Sequence, residues 1–175
     1  MNDLLLLAMM LDGPKYGYQL KREAGWIMGQ DALHNNVVYP LLREFLEQKW
    51  VSKKEVPGER GQTRQQYALS TEGRRYLFQR LNEFSADDAR SEEAFNLRVG
   101  LFPGLDADSR ESILGLRETY LQGRGEKLAA LQGKMDLGKF GGEIVAHMRK
   151  QVAMDMEWIQ HLRRIAKTIP DRRTS

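Results

Sequence analysis

The hydrophobic period of this chain changes abruptly at Trp50. Before it, Val38, Leu42, Phe45 and Leu46 recur at helical spacing. After it, Val51-Ser52-Lys53-Lys54-Glu55-Val56 alternates as a strand does. Pro57 to Thr63 carries turn residues, and Arg64-Gln65-Gln66-Tyr67-Ala68-Leu69 reads as the returning strand. A helix therefore runs directly into a β-hairpin. Asn35 and Asn36 favour the start of that helix, and Pro40 suits only its early turns. Its N-terminal end is polar and carries no acidic residue before Glu44. An ordinary amphipathic core helix with a polar cap fits the same residues, so the flanking segments decide.

Upstream, a helix is predicted over about 2–12, stopped by Asp12-Gly13-Pro14. A second covers about 16–28, with an apolar stripe through Tyr18, Leu20 or Lys21, Ala24 and Ile27 or Met28, and Gly29 ends it. The link Gln30 to Leu33 is short enough for a helix-turn-helix. Ser70 or Thr71 caps a further helix over about 71–84. Three helices followed by a hairpin give a winged helix-turn-helix. The expected fold is mainly α with a small β-hairpin.

The run Leu4 to Leu11 is too short to span a bilayer and lacks the flanks of a signal peptide. It is read as a buried first helix of a cytoplasmic protein. There is no cysteine, which excludes disulfides, thiolate metal sites and a Cys nucleophile. A net charge of +3 permits nucleic acid without demanding it.

Helical patterns fill the second half. Phe95 to Phe102 is an apolar segment ended by Pro103-Gly104. Asp106 and Asp108 then cap a long helix to about Met135, in which Gly123 and Gly125 invite a kink. Gly138 to Gly142 reads as a turn, and the last helix covers about 143–168. That helix bears two apolar lines. One is Val145, Met148, Val152, Met156, Ile159, Leu162 and Ala166; the other is Met154, Trp158 and Ile165. Two lines exceed what a surface helix needs, so it is either sandwiched within the monomer or shared with a second copy. A two-fold homodimer matches the palindromy common in operators and is the expectation here.

Signals for catalysis are poor. Gly133 to Lys139 fits the first seven positions of a P-loop, but Phe140 stands where a hydroxyl should hold Mg²⁺, and no strand precedes it. His34, His147 and His161 share no metal spacing, and Glu143 with His147 is most simply a solvated helix face. Asp87-Asp88 and Glu92-Glu93 read as helix-end charges. No enzyme, metal site or cofactor is expected.

The segments resemble the PadR family of transcriptional regulators. The resemblance rests on Leu4–Leu11 with Gly13-Pro14, and on Tyr16-Gly17-Tyr18-Gln19-Leu20. It continues in Val38-Tyr39-Pro40-Leu41-Leu42, in Gly61, Arg64, Tyr67 and Leu69, and in Ser70-Thr71-Glu72-Gly73. These cover about residues 4–78 in order. Departures are Asn36-Val37 in place of the usual Gly-Thr, Lys49 in place of a Gly, and Gln62, Thr63, Gln65 and Gln66 in a wing usually richer in Arg and Pro. The resemblance implies a repressor of this type, with a winged helix-turn-helix over 1–84 and a helical dimerisation domain over 85–175. It also implies a small, phenolic or planar effector near the junction of the two halves, for which Phe95, Tyr120, Met154 and Trp158 are candidates beside the plain alternative of core packing.

For double-stranded DNA, His34, Asn35 and Asn36 are candidates for bases or phosphates, and Val37 for a thymine methyl. Tyr16, Tyr18, Lys21 and Tyr39 are open to a phosphate or a packing role, and Arg43 can follow the backbone. Arg60 and Arg64 would serve the wing, with Lys53 and Lys54 behind. A winged-helix protein–protein adaptor is the alternative function.

Overall fold

A computed structural model describes residues 1–28, 35–57, 63–134 and 138–170. It divides into two compact units, Met1–Glu83 and Phe84–Ser175. The chain is mainly helical with one small antiparallel sheet.

The first unit runs α1 (Asn2–Met9), β1 (Lys15–Tyr16), α2 (Gly17–Met28), α3 (Asn35–Glu47), β2 (Val51–Pro57), β3 (Thr63–Leu69) and α4 (Thr71–Asn82). Helix α1 ends three residues before the predicted stop, and Met10 to Asp12 form turns instead. Four successive leucines, Leu4 to Leu7, are buried, which requires apolar neighbours on more than one face. Leu6 and Leu7 join Leu20, Ala24, Val38, Phe45, Leu77 and Leu81 as side chains with no exposure. Each large aliphatic buried in this way contributes about 2 kcal/mol of transfer free energy.

The sheet corrects one expectation. Tyr16 was predicted to open helix two, but Lys15 and Tyr16 pair with Tyr67 and Gln66 as a third strand. The order is β1-β3-β2, so β3 is central and β2 lies at an edge. Strand β2 does not alternate in burial: Ser52, Lys53, Lys54 and Glu55 are all exposed. Charged residues along an edge strand discourage pairing with another chain, which is a structural use for these lysines.

The junction between α3 and β2 is closed by a Schellman motif. The Trp50 amide donates to the Phe45 carbonyl at 2.8 Å, and the Lys49 amide to the Leu46 carbonyl at 3.1 Å. Lys49 has φ +59°, the left-handed conformation that glycine adopts without penalty. The Phe45 and Trp50 rings, 6.0 Å apart, supply the apolar contact that accompanies this cap. Trp50 also stacks on Tyr76 of α4 at 3.6 Å.

The second unit contains α5 (Glu92–Gly100), α6 (Ala107–Lys134) and α7 (Gly138–Ala166), with short 3₁₀ turns at Asp88–Arg90 and Phe102–Gly104. The expected turn over Gly138–Gly142 is not there. The left-handed φ of +58° belongs to Gly138 alone, and the following glycines are already helical. Gly123 and Gly125 do not interrupt α6. Contacts between 111 and 163, 118 and 160, and 125 and 152 show α6 and α7 antiparallel. Arg163 forks to Glu111 at 2.9 Å and Glu118 at 2.9 Å, and Gln160 donates to Glu118 at 2.7 Å.

Candidate nucleic-acid interface

The polar end of α3 is the feature that the N-terminal unit builds toward solvent. Val38, Leu42 and Phe45 are buried and Leu46 is half-buried, which turns Asn36, Tyr39, Pro40 and Arg43 outward. Asn36, Tyr39 and Arg43 follow each other at three- and four-residue spacing and so share one face. Val37 is half-buried at its border. Pro40 is the sixth helical residue, within the early turns that suit it, and it supplies no amide donor. Glu44 and Glu47 are exposed further along, so acidic groups face solvent only in the second half of the helix. An uncharged amide, a phenol and a guanidinium in a row can donate to base edges and phosphates. His34 and the expected link over 30–33 lie outside the described residues; Asn35 is the first residue of α3.

Helix α2 starts beside this face. The Tyr16 amide donates to Oε1 of Gln19 at 2.9 Å, the reciprocal half of a capping box. Tyr16 and Tyr18 stack at 5.7 Å with planes 14° apart, and Tyr18 remains largely exposed. The Arg22 guanidinium lies 6.0 Å from the Tyr18 ring. Lys21 is half-buried on the same helix, whereas Lys15 is tied to Glu23 at 2.9 Å. The Tyr39 ring packs against the backbone of Gly17. Burial pushes the Tyr67 phenol up from its ordinary pKa, and the neighbouring Tyr39 phenol adds to this.

On the wing, Arg64 pairs in register with Val56, and Lys53 with Tyr67. Gln65 donates to Glu55 across the strands at 2.7 Å. Arg60 and most of the expected turn, residues 58–62, lie outside the described residues. Wing and α4 are joined through Ser70, whose hydroxyl donates to the Lys49 carbonyl at 2.7 Å and accepts from the Gly73 amide at 2.9 Å.

Residues 6–79 match the model of the transcriptional regulator PadR-like family. The N-terminal unit is a PadR-like transcriptional-regulator domain. Among solved structures, the chain is similar to a transcriptional regulator from Thermoplasma acidophilum, with 28% identity over 43% of this chain and 72% of that one, and TM-score 0.41. A PadR family regulator from Clostridium difficile is 19% identical over 47% of this chain and 85% of that one, also with TM-score 0.41. Bacillus subtilis PadR in complex with operator DNA is 13% identical over 94% of this chain and 98% of that one, again with TM-score 0.41. The family match carries the assignment. The comparison with curated proteins returned no match.

Outside the PadR-like domain, the four residues proposed for an effector have different surroundings. Phe95 is fully buried, edge-on to Trp158 at 5.7 Å and tilted against Phe84 at 6.5 Å. Tyr120 and Phe95 both face the Arg117 guanidinium, at 5.4 and 5.3 Å. Met154 is 65% exposed and Trp158 39%. Arg117 itself escaped the sequence reading. It is buried, donates to the Ala89 carbonyl at 2.7 Å and lies 3.7 Å from Asp155. A lone Arg on a helix carries no signal of burial, because its ordinary place is the surface. Gly133 and Lys134 belong to the end of α6 and Lys139 to the start of α7. Among the described residues, no three His, Asp or Glu side chains gather where they could hold a metal ion, and no helix is long and apolar enough to cross a membrane.

Proposed function

We propose that the chain is a cytoplasmic, sequence-specific DNA-binding regulator that acts as a two-fold dimer and reads a palindromic operator. The observation that carries this reading is the exposed row Asn36, Tyr39 and Arg43 on α3 of a PadR-like domain. In a major groove, Asn36 would pair with an adenine edge, Tyr39 and Arg43 would take phosphates, and Val37 would border a thymine methyl. Lys21 and Tyr16 on α2, and Arg64 with Arg60 on the wing, would hold the backbone on either side.

A second copy is the partner proposed for α7. Its line Val145, Val152, Ile159 and Leu162 is buried within the unit. Phe140, Ile144, Met154, Trp158 and Ile165 stay exposed on the same helix. That much apolar surface on one helix favours association with a copy of itself. The sign of regulation proposed is repression, relieved by a small aromatic effector. Tyr120, Met154 and Trp158 keep exposed surface with which to meet it, and Phe95 lies edge-on to Trp158. Such a ligand works only if it prefers the DNA-incompetent arrangement of the two copies. No catalytic role is proposed.

The test is selection of duplexes from a random-sequence library by the full-length protein. The proposal expects enrichment of an inverted repeat whose half-sites lie about 34 Å apart, one turn of duplex. Absence of any enriched sequence at low salt would overturn it.

A further inference from the structure

Gly17 opens α2 with an unexceptional, non-left-handed backbone, so its lack of a side chain is not needed for the turn. What the missing side chain leaves is space. A Cβ built on Gly17 would stand 3.0 Å from Cε1 of Tyr39, 3.5 Å from its hydroxyl oxygen and 3.6 Å from Cζ. All three atoms belong to the phenol end of the ring. Ordinary carbon contacts lie at about 3.5–4.0 Å, so a methyl group there must push that end outward by a few tenths of an ångström. The ring is 43% exposed and is free to yield.

We infer that Gly17 is a positioning residue for DNA recognition, making the seat that fixes where α3 presents the Tyr39 hydroxyl. This rests on the proposed DNA-reading role of α3. The logic is one of tolerances. A hydroxyl–phosphate hydrogen bond has its optimum near 2.7–2.8 Å within a range of about 2.5–3.0 Å, so moving its donor by a few tenths of an ångström takes it to the edge of that range. The same shift costs the fold little, because the displaced ring moves into solvent and alanine suits a helix better than glycine. Binding and stability are thereby separable at this position.

The experiment is a double-mutant cycle on the full-length protein, read by equilibrium binding to a duplex enriched from a random-sequence library. Gly17→Ala is expected to weaken binding about tenfold with the parent's thermal midpoint and slope of affinity against salt. Tyr39→Phe, which keeps the ring and removes the hydroxyl, is expected to weaken it similarly. Gly17→Ala added to Tyr39→Phe should then cost nothing further. Multiplying losses would overturn the inference, as would parent-like affinity of either single variant. Parent-like binding by Tyr39→Phe overturns the inference even if Gly17→Ala does not fold. If the parent enriches no duplex, the DNA-reading proposal itself falls; enrichment without coupling removes only the role of Gly17.

Discussion

The Cα of Gly73 lies so close to the backbone carbonyl of Trp50 that no side chain fits between them. The same carbonyl accepts from the Ser70 amide at 2.9 Å and from its hydroxyl at 3.0 Å. The start of α4 is therefore fastened to the end of α3 by backbone contacts, with the Trp50–Tyr76 stack alongside. The neighbouring atoms are backbone and cannot rotate away. Gly73→Ala should destabilise the N-terminal unit by about 3 kcal/mol, at the upper end for overpacking. Urea unfolding followed by tryptophan fluorescence reads this, and an unchanged midpoint would contradict the described contact.

Lys49 offers the opposite change. It holds a left-handed backbone at the C′ position of the Schellman motif without the freedom of glycine. Lys49→Gly should stabilise the protein by about 1 kcal/mol, because the steric penalty of the left-handed conformation disappears. A raised urea midpoint with unchanged slope is the expected result.

At the start of α6, the Asp106 carboxylate accepts from the Ser109 amide at 2.7 Å. That backbone hydrogen bond, with a further one from the Ser109 side chain, lowers its pKa from the ordinary value. A carboxyl whose folded pKa is depressed stabilises the fold above its unfolded pKa and loses that contribution as pH falls through the folded one. Asp106→Ala should cost about 1 kcal/mol at neutral pH. The difference from the parent should shrink below about pH 3.9, the ordinary aspartate value. A penalty independent of pH from 7 to 3 would contradict the charge-assisted cap.

The two apolar lines of α7 make separate predictions. Val152 is buried against α6, near Gly125. Val152→Asp should unfold the second unit, since it buries an unpaired charge. Met154→Glu with Ile144→Glu replaces exposed apolar groups and should leave the fold intact while shifting sedimentation from dimer to monomer. A parent that sediments as a monomer at micromolar concentration would end the dimer proposal.

Much of this architecture was legible in the order of residues. The helical recurrence of Val38, Leu42 and Phe45 fixes which way Asn36 and Arg43 face, because a helix has one geometry. Strand β1 was not legible. Lys15 and Tyr16 are two residues long and carry no period; only their pairing with Tyr67 and Gln66 makes them a strand. Two apolar lines could be read on α7, but not which one is buried. That depends on α6 presenting Glu111 and Glu118 to Arg163 from across the hairpin. The seat of Tyr39 on Gly17, and the burial of Arg98, Arg110 and Arg117, are likewise products of tertiary approach rather than of local pattern.

The central claim is that the exposed face of α3 reads DNA. Equilibrium binding of an enriched duplex by the full-length parent and by Asn36→Ala tests it most directly. The account predicts that Asn36→Ala loses about 1–3 kcal/mol of binding, mostly at one base position, while the salt slope and the unfolding midpoint stay those of the parent. Parent and variant binding the same duplex with equal affinity would contradict it.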